Sequence, residues 1–183
     1  MPSGLIEAGV LKTGMLLTLT STYQKGEVMT ISYDKGCLKE ACPSPVPVGF
    51  RVQNLTERDF RAGCIAGNSE NNPPAKVESF EAQVVVFERL ESLSTGYQSL
   101  LECHWERRLC TIEKILAICD ASTGNILEEN PSSVKAGASA LVKVRLSKPC
   151  CVEKFSDYPA LGRFVLMKKS SQAVVGAGIV KSV

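Results

Sequence analysis

The stretch Cys150–Val183 constrains the fold of this chain more than any other. Two short apolar runs, Phe164–Met167 and Ala173–Val180, flank the polar turn Lys168–Gln172. Val, Ile, Leu and Phe dominate the runs, while Lys, Ser and Gln dominate the turn, which is the pattern of a β-hairpin closing an antiparallel sheet. Gly176 and Gly178 sit inside the second run, where a strand bulges, bends at a barrel corner or admits a neighbouring backbone. On the residues alone this is the closing hairpin of a β-barrel.

The rest of the chain follows the same pattern. Leu5–Ala8 ends at Gly9, Met15–Thr20 follows Gly14, Glu27–Tyr33 follows Gly26, and Val48–Val52 follows a proline-rich loop. Turn signals every ~8–12 residues without a helical period predict a barrel or sandwich. Residues 69–78 are polar and carry Pro73-Pro74, a composition that favours a stiff, extended connector. Beyond them, Phe80–Glu88, Leu100–His104, Thr111–Cys119 and Leu141–Leu146 read as strands, the last alternating apolar residues with Lys143 and Arg145. The expectation is all-β, with two consecutive antiparallel β-barrels at 1–68 and 79–183 joined by a linker at 69–78.

Charge and cysteine usage bound the function. A net charge of +2 neither calls for a nucleic-acid partner nor excludes a local basic patch. No apolar run reaches the ~18–20 residues that span a bilayer, and no signal-peptide pattern opens the chain. The expected setting is therefore cytoplasmic, without a membrane partner. Eight cysteines include no Cys-x-x-Cys pair, and His104 is the only histidine. Cys103-His104 with Cys110 falls short of a structural zinc site, which wants two closely spaced ligand pairs. Cys64, Cys110 and Cys119 lie in or beside strand-like runs and read as packed thiols. The vicinal pair Cys150-Cys151 is open to oxidation and has no evident task.

Several stretches together carry a resemblance. Val152-Glu153, Phe155-Ser156-Asp157-Tyr158-Pro159, Leu161-Gly162-Arg163-Phe164 and Val175-Gly176-Ala177-Gly178 resemble, in order and spacing, the C-terminal barrel of the elongation factor 1-alpha and elongation factor Tu family. Gly4–Met15, Val48–Val52, Arg61-Ala62-Gly63 and Ala66-Gly67 are similar to that family's second domain. The resemblance implies two barrels equivalent to the second and third domains, with a barrel strand expected before Gly4 not found here. A GTPase of this family needs GxxxxGK[ST], whose amides and lysine hold the phosphates. Neither that motif nor DxxG or NKxD occurs. No catalytic residue, metal or cofactor is expected in this chain; GTP and magnesium would belong to a GTPase domain of a longer parent.

The same resemblance nominates binding residues. It places the grip on the aminoacylated 3′ end of tRNA at Ser32, Lys35 and the loop Pro43–Pro47 before Val48-Gly49, with Phe50 a further binding candidate. The family's acidic residue is Ser32 here, and its Gly-Asp-Asn is replaced by Pro43-Ser44-Pro45-Val46-Pro47, which removes groups that would hold the adenosine and amino group. In the second barrel, His104 and the turn around Gln172 match positions near the tRNA T-stem. Arg107, Arg108, Lys168 and Lys169 could add phosphate contacts, or be solvated turn residues. Trp105 is expected to pack against a neighbouring strand or interface, with base stacking as the alternative. Arg163 reads as a structural or interface residue. The implied function is a non-catalytic translation module that binds aminoacyl-tRNA, the ribosome or a nucleotide exchange factor. The alternatives are the barrels of a release-factor or ribosome-rescue relative, which hold a tRNA-shaped protein, and a protein-interaction scaffold.

Overall fold

The computed structural model describes residues 1–34 and 36–183. It is 53% strand and 2% helix, so the chain is all-β. It divides into two compact units, Met1–Ala75 and Lys76–Val183.

The first unit holds β1 (Ser3–Gly4), β2 (Leu11–Lys12), β3 (Leu16–Leu19), β4 (Lys25–Tyr33), β5 (Gly36–Leu38), β6 (Glu40–Ala41), β7 (Val48–Val52) and β8 (Ala66–Asn68). Its main sheet runs β1-β7-β4-β3-β8, with β5 added to β4 and β2 paired with β6 as a separate ribbon. Every pairing is antiparallel. Leu17, Val28, Ile31, Val48, Phe50 and Val52 point inward and form one core. Among the described residues no pairing joins β1 to β8, so the sheet path stays open.

The second unit holds β9 (Val77–Val86), β10 (Ser92–Ser94), β11 (Gln98–Cys103), β12 (Glu106–Cys119), β13 (Ile126–Glu129), β14 (Ser133–Lys135), β15 (Ser139–Cys150), β16 (Arg163–Met167) and β17 (Val174–Ser182). The path β11-β16-β17-β9-β15-β12 returns to β11, which closes a six-stranded antiparallel barrel. Inward residues alternate with outward ones along each strand, as in Phe80-Ala82-Val84-Val86 and Ala140-Val142-Val144-Leu146. Closure leaves no free edge within the ring.

Gly176 and Gly178 serve close approach. A Cβ at Gly178 would lie 2.6 Å from the Phe164 ring and 2.9 Å from the Gln83 carbonyl. One at Gly176 would lie 2.9 Å from the Val85 carbonyl. Absence of a side chain at Gly178 lets Phe164, its cross-strand partner, pack edge-on to Phe80 at 5.5 Å.

Candidate functional site

The two-residue tip between β11 and β12 is the most specific local structure near the nominated residues. Cys103 pairs with Glu106, leaving His104 and Trp105 at the turn, and His104 takes a left-handed φ of 44°. A side chain held there needs compensation. His104 supplies it: Nε2 donates to the Cys151 carbonyl at 2.9 Å. Cys103 Sγ donates to the Arg163 carbonyl at 3.3 Å. The tip is thereby tied at two points, to Cys151 just past the end of β15 and to Arg163 at the start of β16. Burial pushes the thiols of Cys103, Cys150 and Cys151 up to about 12, so all three are neutral packing groups.

The arginines beside the tip are not free. The hairpin register sets Arg107 opposite Glu102, and its Nε donates to Glu102 Oε2. Arg108 lies opposite the buried Leu101 and therefore on the inward row, where its guanidinium pairs with Glu106 at 3.1 Å. Two cations nominated for phosphate thus each have a carboxylate of their own. The sequence held the signal: a turn centred on His104-Trp105 puts 102 across from 107. Trp105 does not pack against a neighbouring strand of this chain. It is 82% exposed, because both ends of its turn are tied inward and the indole has no neighbour to lie on.

The basic turn lies at the other end of the barrel. β16 pairs with β11 so that Cys103 faces Phe164 and Leu100 faces Met167. Lys168–Gln172 therefore sits beside Gln98, about 20 Å from the His104 tip at ~3.4 Å per residue. Gln172, at φ 55°, donates its N–H to the Lys168 carbonyl at 2.8 Å and closes the turn. Lys169 Nζ donates to Gln98 Oε1 at 3.0 Å. Lys168 is exposed and, among the described residues, has no carboxylate partner. His104 and Gln172 thus mark opposite ends of one strand pair rather than one cluster.

In the first unit, Ser32 and Phe50 lie on the paired strands β4 and β7. Ser32 Oγ donates to the Gly49 carbonyl at 3.4 Å. Phe50 is 8% exposed and packs edge-on to Phe60 at 5.6 Å, so it supports the core. The loop Pro43–Pro47 is exposed and braced by Val46 N–H donating to Ser44 Oγ at 3.2 Å. Lys35 lies outside the described residues. No cluster of three or more metal-ligating side chains exists among the described residues, and no described helix is long and apolar enough to cross a membrane.

Comparison with known proteins places this architecture. The model of the family "GTP-eEF1A C-terminal domain-like" matches residues 79–181. Elongation factor 1-alpha of Eremothecium gossypii is 39% identical over 183 residues, covering 100% of this chain and 39% of that protein. The oocyte form from Xenopus laevis is 38% identical over the same 183 residues and shares. The chain thus spans about two fifths of the length of these curated relatives. Among solved structures, Sup35 complexed with GDP aligns with a TM-score of 0.81 at 26% identity, covering 99% of this chain and 43% of that one. Sup35 complexed with GMPPNP aligns at 0.83 and 25%, with the same coverage. The closed second barrel, the family match across it and the identity to part of elongation factor 1-alpha along the whole of this chain agree: this chain belongs to the elongation factor 1-alpha C-terminal domain family of translation factors.

Proposed function

We propose that this chain is the non-catalytic, partner-binding part of a translation factor, and that its second barrel holds a tRNA-shaped protein rather than tRNA itself. One observation carries this reading. Arg107 and Arg108, the arginines beside the His104 tip, are each matched by a carboxylate, Glu102 and Glu106. Affinity for nucleic acid comes chiefly from cations that neutralise phosphates and release counterions. A guanidinium whose charge a neighbouring carboxylate already balances adds little net positive charge toward a phosphate. The first unit supports the same reading, since Ser32 and Pro43–Pro47 present neither the carboxylate nor the amides that an aminoacyl grip would use.

Lys168 and Lys169 favour a second reading, in which the basic turn touches RNA backbone at one end of the barrel while another partner holds the rest. The nucleotide-dependent activity of any longer parent protein would lie in a GTPase domain, against which the barrels would dock. Titration calorimetry against a purified class 1 release factor, with deacylated tRNA as competitor, tests the proposal. Binding that survives excess tRNA is expected. Loss of the protein complex to tRNA, or failure to bind the release factor at all, would overturn it.

A further inference from the structure

β13 ends the sheet path of the second unit. Among the described residues it pairs only with β12, where Ala117, Ile118 and Cys119 face Glu129, Glu128 and Ile126, and its far edge carries no strand. That edge is shaped in advance. Asp120 N–H donates to the Asn125 carbonyl and Asn130 N–H to the Leu116 carbonyl, both at 2.9 Å, so the strand is clamped to β12 at each end. The same two bonds fix which main-chain groups are spent. Across a planar trans peptide an N–H and the preceding carbonyl point opposite ways, so the N–H and C=O groups of Ile126 and Glu129 face away from β12. Among the described residues nothing bonds to them.

Unpaired main-chain groups on a formed strand are matched by an extended chain, which adds as a further strand and takes its specificity from side chains. Every side chain of β13 is exposed, Ile126 at 58% and Leu127 at 67%. The bulge opposite Ile118 and Cys119 sets Ile126 and Glu129 on one face and Glu128 on the other, so each face carries a carboxylate. Neither carboxylate forms an ion pair among the described residues. Charge decides which chain fits. A second copy laid along this edge brings its own Glu128 and Glu129 alongside, and like charges across strands repel. An RNA backbone meets the same repulsion. Lysine and arginine are attracted on either face, and their aliphatic stems cover Ile126 and Leu127. We propose that the free edge of β13 binds an extended segment of a basic protein, which pairs with the main chain of Ile126 and Glu129 and sets lysine or arginine against Glu128 and Glu129. The argument is independent of whether the translation partner held elsewhere on the barrel is protein or RNA.

Amide spectra of the isotopically labelled full chain, titrated with a blocked peptide alternating lysine and valine, test this, with hydrogen exchange read on the same samples. The expected result is shifted signals along β13 and slower exchange of the Ile126 and Glu129 amides, by about tenfold or more, with both effects weakening as salt rises. The matching peptide of glutamate and valine should leave both unchanged. Glu128→Gln together with Glu129→Gln should weaken binding by about threefold or more, as two exposed ion pairs are lost. Ile126→Pro removes an outward N–H and no bond to β12, and proline is tolerated at the first residue of a strand. It should abolish binding with an unchanged melting curve; Glu129→Pro replaces it if that variant does not fold. Unmoved signals at millimolar peptide, equal binding of the acidic peptide, or parental binding by Ile126→Pro would overturn the proposal. So would slow exchange at Ile126 and Glu129 that deepens with protein concentration in the peptide-free chain, which would give the edge to a second copy.

Discussion

Gly162→Ala should destabilise the second unit sharply although glycine is not needed there for its backbone angles. Gly162 is absent from the positive-φ residues, so an alanine could adopt its conformation. The obstacle is space. A Cβ would lie 2.4 Å from Phe155 Cα, 2.5 Å from Phe155 N and 2.8 Å from the Glu153 carbonyl. All three are backbone atoms and cannot swing aside. They are also pinned, because Phe155 N–H donates to the Val180 carbonyl at 3.0 Å and Val180 N–H donates to the Gly162 carbonyl at 2.8 Å. Relief needs a shift of roughly 0.6 Å in a bonded segment, which places the cost at the upper end of overpacking, about 2–3 kcal/mol. Each kcal/mol lowers the melting temperature of a domain this size by ~4 °C, so calorimetry should show the second unit melting about 8–12 °C lower. Gly96→Ala is the control, since Gly96 has φ +85° and nothing within 4 Å of its Cβ position. It carries only the left-handed strain of about 1–2 kcal/mol. If Gly162→Ala melts within about 2 °C of the parent, or Gly96→Ala falls further, the packing argument is wrong.

Three further outcomes follow from the same geometry. Burial, and secondarily the Asp157 charge, raise the Glu153 carboxyl above its ordinary range. Its ionised form is therefore disfavoured in the folded chain, so stability falls as pH rises through the ordinary carboxylate range toward the raised value. Glu153→Gln should melt higher than the parent at neutral pH, by less than ~1 kcal/mol because the side chain is only part-buried, and the gain should vanish in melts at low pH. In thiol labelling at mildly alkaline pH, Cys37 and Cys42 should react rapidly because they are exposed, whereas Cys103, Cys150 and Cys151, pushed up to about 12, should react only after unfolding. Glu102→Gln should free Arg107, and the slope of log affinity for tRNA against log salt should steepen by about 0.9, the value of one phosphate contact.

The legible parts of this fold were those with a local cause. Period-two alternation in Leu141–Leu146 matches the buried and part-buried residues of β15, because each strand faces the barrel interior on one side. Gly176 and Gly178 announced a close approach, and neighbouring backbone and the Phe164 ring fill that space. Site chemistry was harder to read. Arg107-Arg108 looks like a basic pair in one dimension; the cross-strand register gives one arginine to Glu102 and turns the other inward toward Glu106. Trp105 is expected against a neighbouring strand or an interface; hydrogen bonds from His104 and Cys103 hold its turn so that the ring points to water rather than onto a strand. Phe50 was nominated for binding, yet its alternation with Val48 and Val52 along β7 makes it a core residue. Of these, only the ties from His104 to Cys151 and from Cys103 to Arg163 join residues distant in sequence, which neighbouring residues do not encode.

The measurement closest to the central claim is a titration of the chain with aminoacylated and deacylated tRNA, at low and at physiological salt. With the arginines paired and the aminoacyl-grip groups replaced, both forms should bind alike and weakly, and binding should fade as salt rises. A preference for the aminoacylated form of tenfold or more, about 1.4 kcal/mol, persisting at physiological salt, would contradict the account and establish an aminoacyl-tRNA carrier surface.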